Sequence, residues 1–544
     1  MDSSSSNKKY RLQPQRQILN CLLQQPLYNC YIMKTIKIYF IGMLTVISLL
    51  TACDKDFTEL NTNTVDPTTL DPQFIMNRAI IETTYPDNFA TLEMLCYDFG
   101  IVQQIITPFG SSLSGGNYNI FNPANTNLVW INFYRNVLKQ NVDAIEKTKS
   151  DANRTNLYNE ARIWRAYAFM ILTDTYGDIP YTEASKGFTD QLIQPKYDKQ
   201  EFIYKDILKE LDEATIALDA SKPVSTADLL FGGDITKWKR LGNSLLLRAA
   251  MRLTKVAPDI AKTYVAKAVS GGLMQSNKDN SILRHTNLYN NWIAVHLTAR
   301  EKANFYLAKP FVDYLKNNND PRLRSIAVRH VGAKSGADQA PPRTTSDPAV
   351  QLGMPMGYDD VSIKNTFPTY GVASLYDYSQ VNLNTILKVT SPEYHVTYAE
   401  TQLLLAEAVV RGWANGDANQ LFQSGIRAHM EQMAEYDPSA AISDNAIQTY
   451  LNANPLNMAT ALDQINTQYW VASFMNGSET FANFRRSGYP ALQKNPYPGS
   501  EITGNFIRRM PYPDSEIITN SANLNAAIAT QGKNDLNTRV WWDK

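Results

Sequence analysis

The stretch "NLYNEARIWRAYAFMILTDTYG", residues 156–177, decides the fold. Leu157, Ala161, Trp164, Ala168 and Ile171 step by four, three, four and three, which draws one apolar stripe along a helix. Arg162 and Arg165 flank the stripe, and Gly177 is a stop signal. The design returns in "EYHVTYAETQLLLAEAVVRGWANGD", residues 393–417, where Val396, Ala399, Leu403, Ala406 and Val410 share a face and Gly412 and Gly416 punctuate the end. Alanines set among large residues let two helices approach closely. Periodic segments also cover 129–148, 200–219, 236–255, 258–271, 302–317, 418–433 and 459–475. Several come in pairs joined by short turns, the format of helix-hairpin repeats, although no strict 34-residue period is present. The chain therefore reads as mainly α.

Between the helices lie long irregular stretches. Residues 107–127, "TPFGSSLSGGNYNIFNPANTN", and residues 330–394 exceed the roughly 15 residues beyond which a loop in a compact domain is functional or disordered. The last part, 477–544, reads as irregular, Pro-rich and aromatic, and ends in "RVWWDK".

The N-terminus carries an address. Residues 38–50, "IYFIGMLTVISLL", are apolar and uncharged, Lys34 and Lys37 precede them, and Cys53 follows in "LTAC". A basic start, a run of about 7–15 apolar residues and small residues before a cut site make a secretory signal. Leu50-Thr51-Ala52-Cys53 resembles the bacterial lipobox, in which the cysteine is diacylated and becomes the first residue of the mature chain. Two or more acyl chains give stable membrane anchoring. Asp54 and Asp56 behind Cys53 resemble the acidic export signal of Bacteroidetes surface lipoproteins. Residues 1–32 do not fit this scheme and read as an upstream extension of a chain that starts at Met33. The expected organisation is then signal peptide 33–52, lipidated Cys53 and polar tether 53–72, and one domain over 73–544.

Composition narrows function. The 52 basic and 52 acidic side chains cancel, so there is no basic footprint for nucleic acid. Of Cys21, Cys30, Cys53 and Cys96, only Cys96 stays free in the mature chain, which leaves no internal disulfide. Cys96, in "LEMLCYDFG", has the apolar neighbours of a core cysteine. The 30 Tyr against 20 Phe and 8 Trp point to amphipathic contact surface.

Catalytic constellations are absent from the sequence. It has no GxSxG, HExxH, P-loop or dinucleotide fingerprint, and His285, His296, His330, His395 and His429 lack metal-ligand spacing. Asp359-Asp360 in "GYDDVS" has oxygen ligands for a calcium ion, but reads first as a solvated turn. A glycosidase would need two facing carboxylates about 5–10 Å apart, and nothing marks such a pair. No cofactor is expected.

Six pieces in order, "CDKDF" (53–57), "ARIWRAYAFMILTDTYGDIPYTEA" (161–184), "YAETQLLLAEAVVRG" (398–412), "FRRSGYP" (484–490), "RRMPYPDSE" (508–516) and "VWWDK" (540–544), resemble the SusD/RagB family of surface lipoproteins, in its SusD-like variant branch. The resemblance implies a tetratricopeptide-like scaffold of helix pairs with long loops and short helices packed on one side. It implies a partner, a TonB-dependent outer-membrane β-barrel transporter of the SusC/RagA kind, over which the lipoprotein sits as a lid. It further implies capture without catalysis, usually of oligosaccharide and sometimes of peptide. Arg508 and Arg509 are expected to pin loops or pair with buried carboxylates, and Trp541 and Trp542 to pack the C-terminus.

A sugar binder needs exposed aromatic faces beside Asn, Asp, Gln or Arg. Three segments offer that mixture: Asn117-Tyr118-Asn119 with Phe121 and Asn122; Asn287, Tyr289, Asn290, Asn291 and Trp292; and Tyr370, Tyr376 and Tyr378. The leading expectation is a glycan-capturing lid at the outer-membrane surface. A peptide-capturing lid, a lid whose ligand contacts come mostly from the barrel and a lipid-anchored glycosidase stand as alternatives.

Overall fold

A computed structural model describes residues 70–85, 90–187 and 190–544. The upstream segment 1–32, the signal 33–52, Cys53 and tether residues 54–69 lie outside the described residues. Within the stretch read as tether, Asp71 already caps the first helix of the described residues, accepting a hydrogen bond from the Gln73 N–H at 2.8 Å. That helix, α1, is Pro72–Glu82, with proline at a position where a missing N–H costs nothing.

Helices dominate the body that follows. They are α2 (Lys139–Thr148), α3 (Thr155–Tyr176), α4 (Gln200–Ala217), α5 (Ile235–Arg252), α6 (Pro258–Gly271), α7 (Lys309–Asn317), α8 (Tyr398–Val410), α9 (Ala418–Tyr436), α10 (Asp444–Ala453), α11 (Ala461–Ala472), α12 (Gly477–Ser487) and α13 (Ser521–Gln531). Sequence neighbours pack on one another: α3 on α4, α4 on α5, α5 on α6, and α8 on α9. Contacts of α5 with α8 and of α8 with α11 join the two groups of helices. The few described strands are short: three pairs, among them Ile105–Ile106 with Tyr306–Leu307 and Ser281–Leu283 with Glu393–Val396, and one three-stranded sheet.

The deciding stripe does what its spacing predicts. Leu157, Ala161, Trp164 and Ala168 are buried in the main core, and Gly177 ends α3 at φ 88°, a value that suits glycine. The flanking cations are also used. Arg162 grips Glu210 of α4 with two hydrogen bonds of 2.9 Å, and Arg165 lies 4.4 Å over the Tyr181 ring. On the second stripe, Val396 belongs to the strand and not to the helix. Thr397 caps α8 by accepting from the Glu400 N–H, while Glu400 accepts from the Thr397 N–H, a closed capping box. At Gly425 of α9, a Cβ would fall 2.7 Å from Leu403 Cγ and 3.0 Å from the Ala399 carbonyl, so glycine is what lets α9 lie against α8.

The expected helix 302–317 is a correction. Tyr306–Leu307 is extended, and α7 starts only at Lys309, because Pro310 suits a first turn and not a helix interior. The segment 459–475 shortens to α11. A larger correction concerns 477–544, read as irregular, which contains α12, the short helix Asp514–Thr519 and α13. Residues Gly477–Arg486 of α12 are all buried, including Glu479, Arg485 and Arg486, so it shows no polar face.

Glu479 and Arg486 belong to buried ion pairs that cross the scaffold, while Arg485 donates to the Arg508 carbonyl at 2.7 Å. Arg248 of α5 meets Glu400 of α8 at 3.0 Å, and Arg252 meets Glu479 of α12 at 2.7 Å and Asp174 of α3 at 3.2 Å. Arg486 holds Glu407 of α8 through two bonds of 2.7 Å. The C-terminus joins this network, with the Trp542 indole N–H donating to Asp174 at 2.8 Å. Arg509 donates to the Tyr176 carbonyl and to Asn534, and Arg508 pairs with buried Asp543.

Cys96 lies inside the core, where burial raises its thiol far above the ordinary range. We expect residue-specific mass mapping to find Cys96 unmodified by iodoacetamide in the native protein and modified fully in denaturant. Labelling at equal rates in both states would contradict a core position.

Candidate functional site

A small second apolar cluster, separate from the main core, lies under the loops. It holds Ile106, Tyr306, Ala308, Met354, Met356, Ile363, Val372, Leu375 and Tyr378. Main-chain bonds build its floor: Leu307 N–H to Ser379 O at 2.8 Å, Met354 N–H to Leu307 O at 2.8 Å, Lys309 N–H to Met354 O at 2.8 Å and Ser379 N–H to Leu352 O at 2.8 Å. At Gly353 a Cβ would stand 2.5 Å from Lys309 Cα, so only glycine lets these strands touch. Around this floor Phe109, Tyr358, Phe367, Tyr370 and Tyr376 are half-buried and pack against it.

Two asparagines tie three loops to the floor. Asn117 Nδ2 donates to the Thr107 carbonyl at 2.8 Å and to the Tyr358 carbonyl at 3.2 Å, and its Oδ1 accepts from Gly357 N–H at 3.1 Å. Asn495 Nδ2 donates to the Asn117 carbonyl at 2.8 Å and to the Gly116 carbonyl at 3.2 Å. Glu501 completes the tie by donating its N–H to Asn119 O and accepting from Phe121 N–H. The loops 107–122, 354–378 and 495–501 therefore form one bonded unit.

The sequence candidates divide accordingly. Asn117 is buried at the hub, so its amide serves the frame. Tyr118 is 2 % exposed, packs edge-on against Tyr497 at 4.8 Å and offers no open face, contrary to the expectation of an exposed platform. Tyr378 is fully buried, with its hydroxyl 2.8 Å from Thr366 Oγ1. Tyr370 and Tyr376 are half-buried. Tyr370 stands edge-on to Tyr378 at 6.3 Å, and the Lys309 ammonium lies 5.9 Å from its ring centre. The Tyr376 carbonyl is held by Gln339 at 3.0 Å, which fixes its backbone, and its ring packs against the cluster.

The remaining candidates sit on a separate turn. Tyr289 stacks on His285 at 5.1 Å and donates to the Ile81 carbonyl at the end of α1. Asn291 is buried as the cap of the short helix Trp292–Val295, accepting from Ala294 N–H at 3.1 Å. Asn287 is exposed, and half-buried Trp292 has Arg300 5.7 Å from its ring. No hydrogen bond described here joins this turn directly to the loop unit.

Sequence reading missed Phe109, Tyr358 and Lys309 as rim residues. Phe109 opens the quoted loop 107–127 and Tyr358 sits in "GYDDVS", so both were in view; the signal that was lacking is which side chain faces inward. Asp359 is spent on its own turn. Its Oδ1 accepts from the N–H groups of Val361 and Ser362 and from the Ser362 hydroxyl, and the Ser362 N–H bond leads in holding its carboxyl below the usual range. Among the described residues no group of three or more His, Cys, Asp or Glu is placed to hold a metal ion.

The comparisons with known proteins point one way. Residues 63–513 match the SusD-like family model, described as starch-binding and associating with the outer membrane. A solved chitin-binding protein is 32 % identical with TM-score 0.77, over 87 % of this chain and all of its own. A Bacteroidetes SusD-like protein is 28 % identical with TM-score 0.76, over 87 % of this chain and all of its own. A chitin-binding SusD homologue from Flavobacterium johnsoniae is 25 % identical with TM-score 0.69, over 87 % of this chain and 97 % of its own. None of the curated proteins compared by sequence matches this chain.

Proposed function

The chain belongs to the SusD-like family, described as starch-binding and associating with the outer membrane, and from that membership we propose that it captures an oligosaccharide at the cell surface. The observation that carries this reading is the rim of half-buried rings, Phe109, Tyr358, Phe367, Tyr370 and Tyr376, on a floor fixed by main-chain bonds. Aromatic faces held this way meet the apolar C–H faces of a sugar without first being ordered, which lowers the entropic cost of binding. Lys309 and exposed Lys364, Asn365 and Thr369 supply hydroxyl-binding groups beside the rim.

The relatives that bind chitin make β-linked N-acetylglucosamine oligomers the first ligand class to test. In this reading the protein binds without turnover. Cys53 carries the lipid anchor to the outer face of the outer membrane. The body serves as the lid of a TonB-dependent β-barrel transporter of the SusC/RagA kind, with no resident cofactor.

The test is calorimetry with chito-, malto- and xylo-oligosaccharides and a peptide pool, on the native chain and on variants. We expect saturable binding to one glycan class, weakened at least ten-fold by Tyr370→Ala with Tyr376→Ala. Trp292→Ala, on the separate turn, should change affinity less than three-fold. Binding of peptides and of no glycan would overturn the carbohydrate reading, and unchanged glycan affinity in the double variant would remove the rim from the site.

A further inference from the structure

Away from the loop unit, and sharing no residue with it, a cleft of about 240 Å³ opens between the start of α1, the start of α3 and the turn 223–225. Its walls are of two kinds. Leu157, Pro223 and Val224 are apolar, whereas Gln73 and Glu160 bring oxygen atoms. Glu160 is 3 % exposed, and no hydrogen bond or ion pair reaches its carboxylate among the described residues. A buried carboxylate without a partner is rare and costly. Gln73 is 2 % exposed; its Nε2 donates to Asn77 Oδ1, while its Oε1 accepts from no donor.

The neighbouring charges do not relieve Glu160. Asp228, 6 % exposed, is already saturated by the N–H groups of Leu230, Phe231 and Gly233 and by the Trp238 indole N–H. Arg154, the cation that lines the cleft, is committed to Asp71 at 2.7 Å. Burial, and then the Asp228 charge, push the Glu160 carboxyl up to about 8. The cleft thus sets an unpaired carboxylate and an unpaired amide oxygen against an apolar wall.

We propose that this cleft binds a small organic ammonium, with the charged group on Glu160 and Gln73 Oε1 and the carbon skeleton against Leu157, Pro223 and Val224. An ammonium brings three donors and no acceptor, which matches the unmet groups one for one in kind. A bare metal ion would find one carboxylate and one amide oxygen, short of the six to eight oxygens calcium takes. Its water shell would also face the apolar wall. An ammonium of a few carbons satisfies both walls, and its arrival drives the Glu160 proton into solvent.

The probe is n-propylammonium chloride, titrated into the full chain by calorimetry, with n-propanol and calcium chloride as controls. Saturable propylammonium binding is expected at pH 7, tightening between pH 6 and pH 9 as Glu160 loses its proton. Titrations in two buffers of different ionisation heat should show proton release on binding. Glu160→Gln should weaken binding at least ten-fold and remove the pH dependence. Because Glu160→Gln mimics the protonated acid, the variant should fold normally. Val224→Lys, at an exposed rim position, brings its own ammonium to the cleft and should abolish propylammonium binding. Equal binding of n-propanol, undiminished binding by Glu160→Gln, or saturable calcium binding with none of propylammonium would each overturn the proposal.

Discussion

Arg486→Met lowers the stability of this protein by about 3–5 kcal/mol, the cost of leaving a buried charge without its partner. Arg486 and Glu407 are 1 % and 0 % exposed, and their two bonds join α12 to α8. Asn466 and Asn483 also accept from the guanidinium, so removing it leaves the Asn483 oxygen without a donor and strips Glu407 of its strongest partner. Glu407 keeps Arg411 at 2.8 Å, which places the loss near the lower end of that range. The double variant Arg486→Met with Glu407→Leu should recover much of the loss, because an apolar pair of similar volume replaces a buried ion pair at little cost. Urea denaturation of the two single variants and the double one checks this, and strictly additive losses would refute the coupling. The pair also has a pH signature. Burial alone would raise the Glu407 carboxyl, but Arg486 and then Arg411 outweigh it and hold it at about 2, below its ordinary 4.5. A depressed carboxylate stabilises fully above its unfolded value and loses that contribution as pH falls through its folded value. The native chain should therefore lose stability between about pH 4.5 and pH 2 more steeply than Glu407→Gln does.

Trp542→Ala should cost at least as much, about 3–5 kcal/mol for the lost volume alone. The ring is fully buried two residues before Lys544, with Arg485 4.8 Å and Arg252 5.6 Å from its centre. Its indole N–H is also a donor to Asp174, whose carboxyl burial already raises despite Arg252. Losing that donor adds about 1–3 kcal/mol. Trp541, half-buried beside it, should cost under about 1 kcal/mol when replaced by alanine. Equal losses at the two tryptophans would show that the C-terminus is not pinned through Trp542.

What the sequence disclosed depended on how each helix meets its surroundings. The stripe Leu157–Ile171 was legible because its small and large apolar residues repeat at the helical period. Helix α12 was not, because its inward face is made of Glu479, Arg485 and Arg486, and a period search counts those as surface. The ion-pair partners lie far off in sequence, Arg252 227 residues from Glu479 and Glu407 79 from Arg486, beyond any local pattern. The site divided in the same way. Tyr370 and Tyr376 were named from composition, yet so were Tyr118 and Tyr378, which are buried. Alternation within a loop carries no rule for which ring turns outward. That choice was made by Asn117, Asn495 and Gly353, residues whose importance lies in bonds to distant main-chain atoms.

The floor beneath the rim is closed by main-chain hydrogen bonds, one glycine and two asparagines, and none of these ties uses the rings of Phe367, Tyr370 or Tyr376. Frame and rim are thereby separable: a rim side chain can be exchanged without breaking any bond of the frame that presents it.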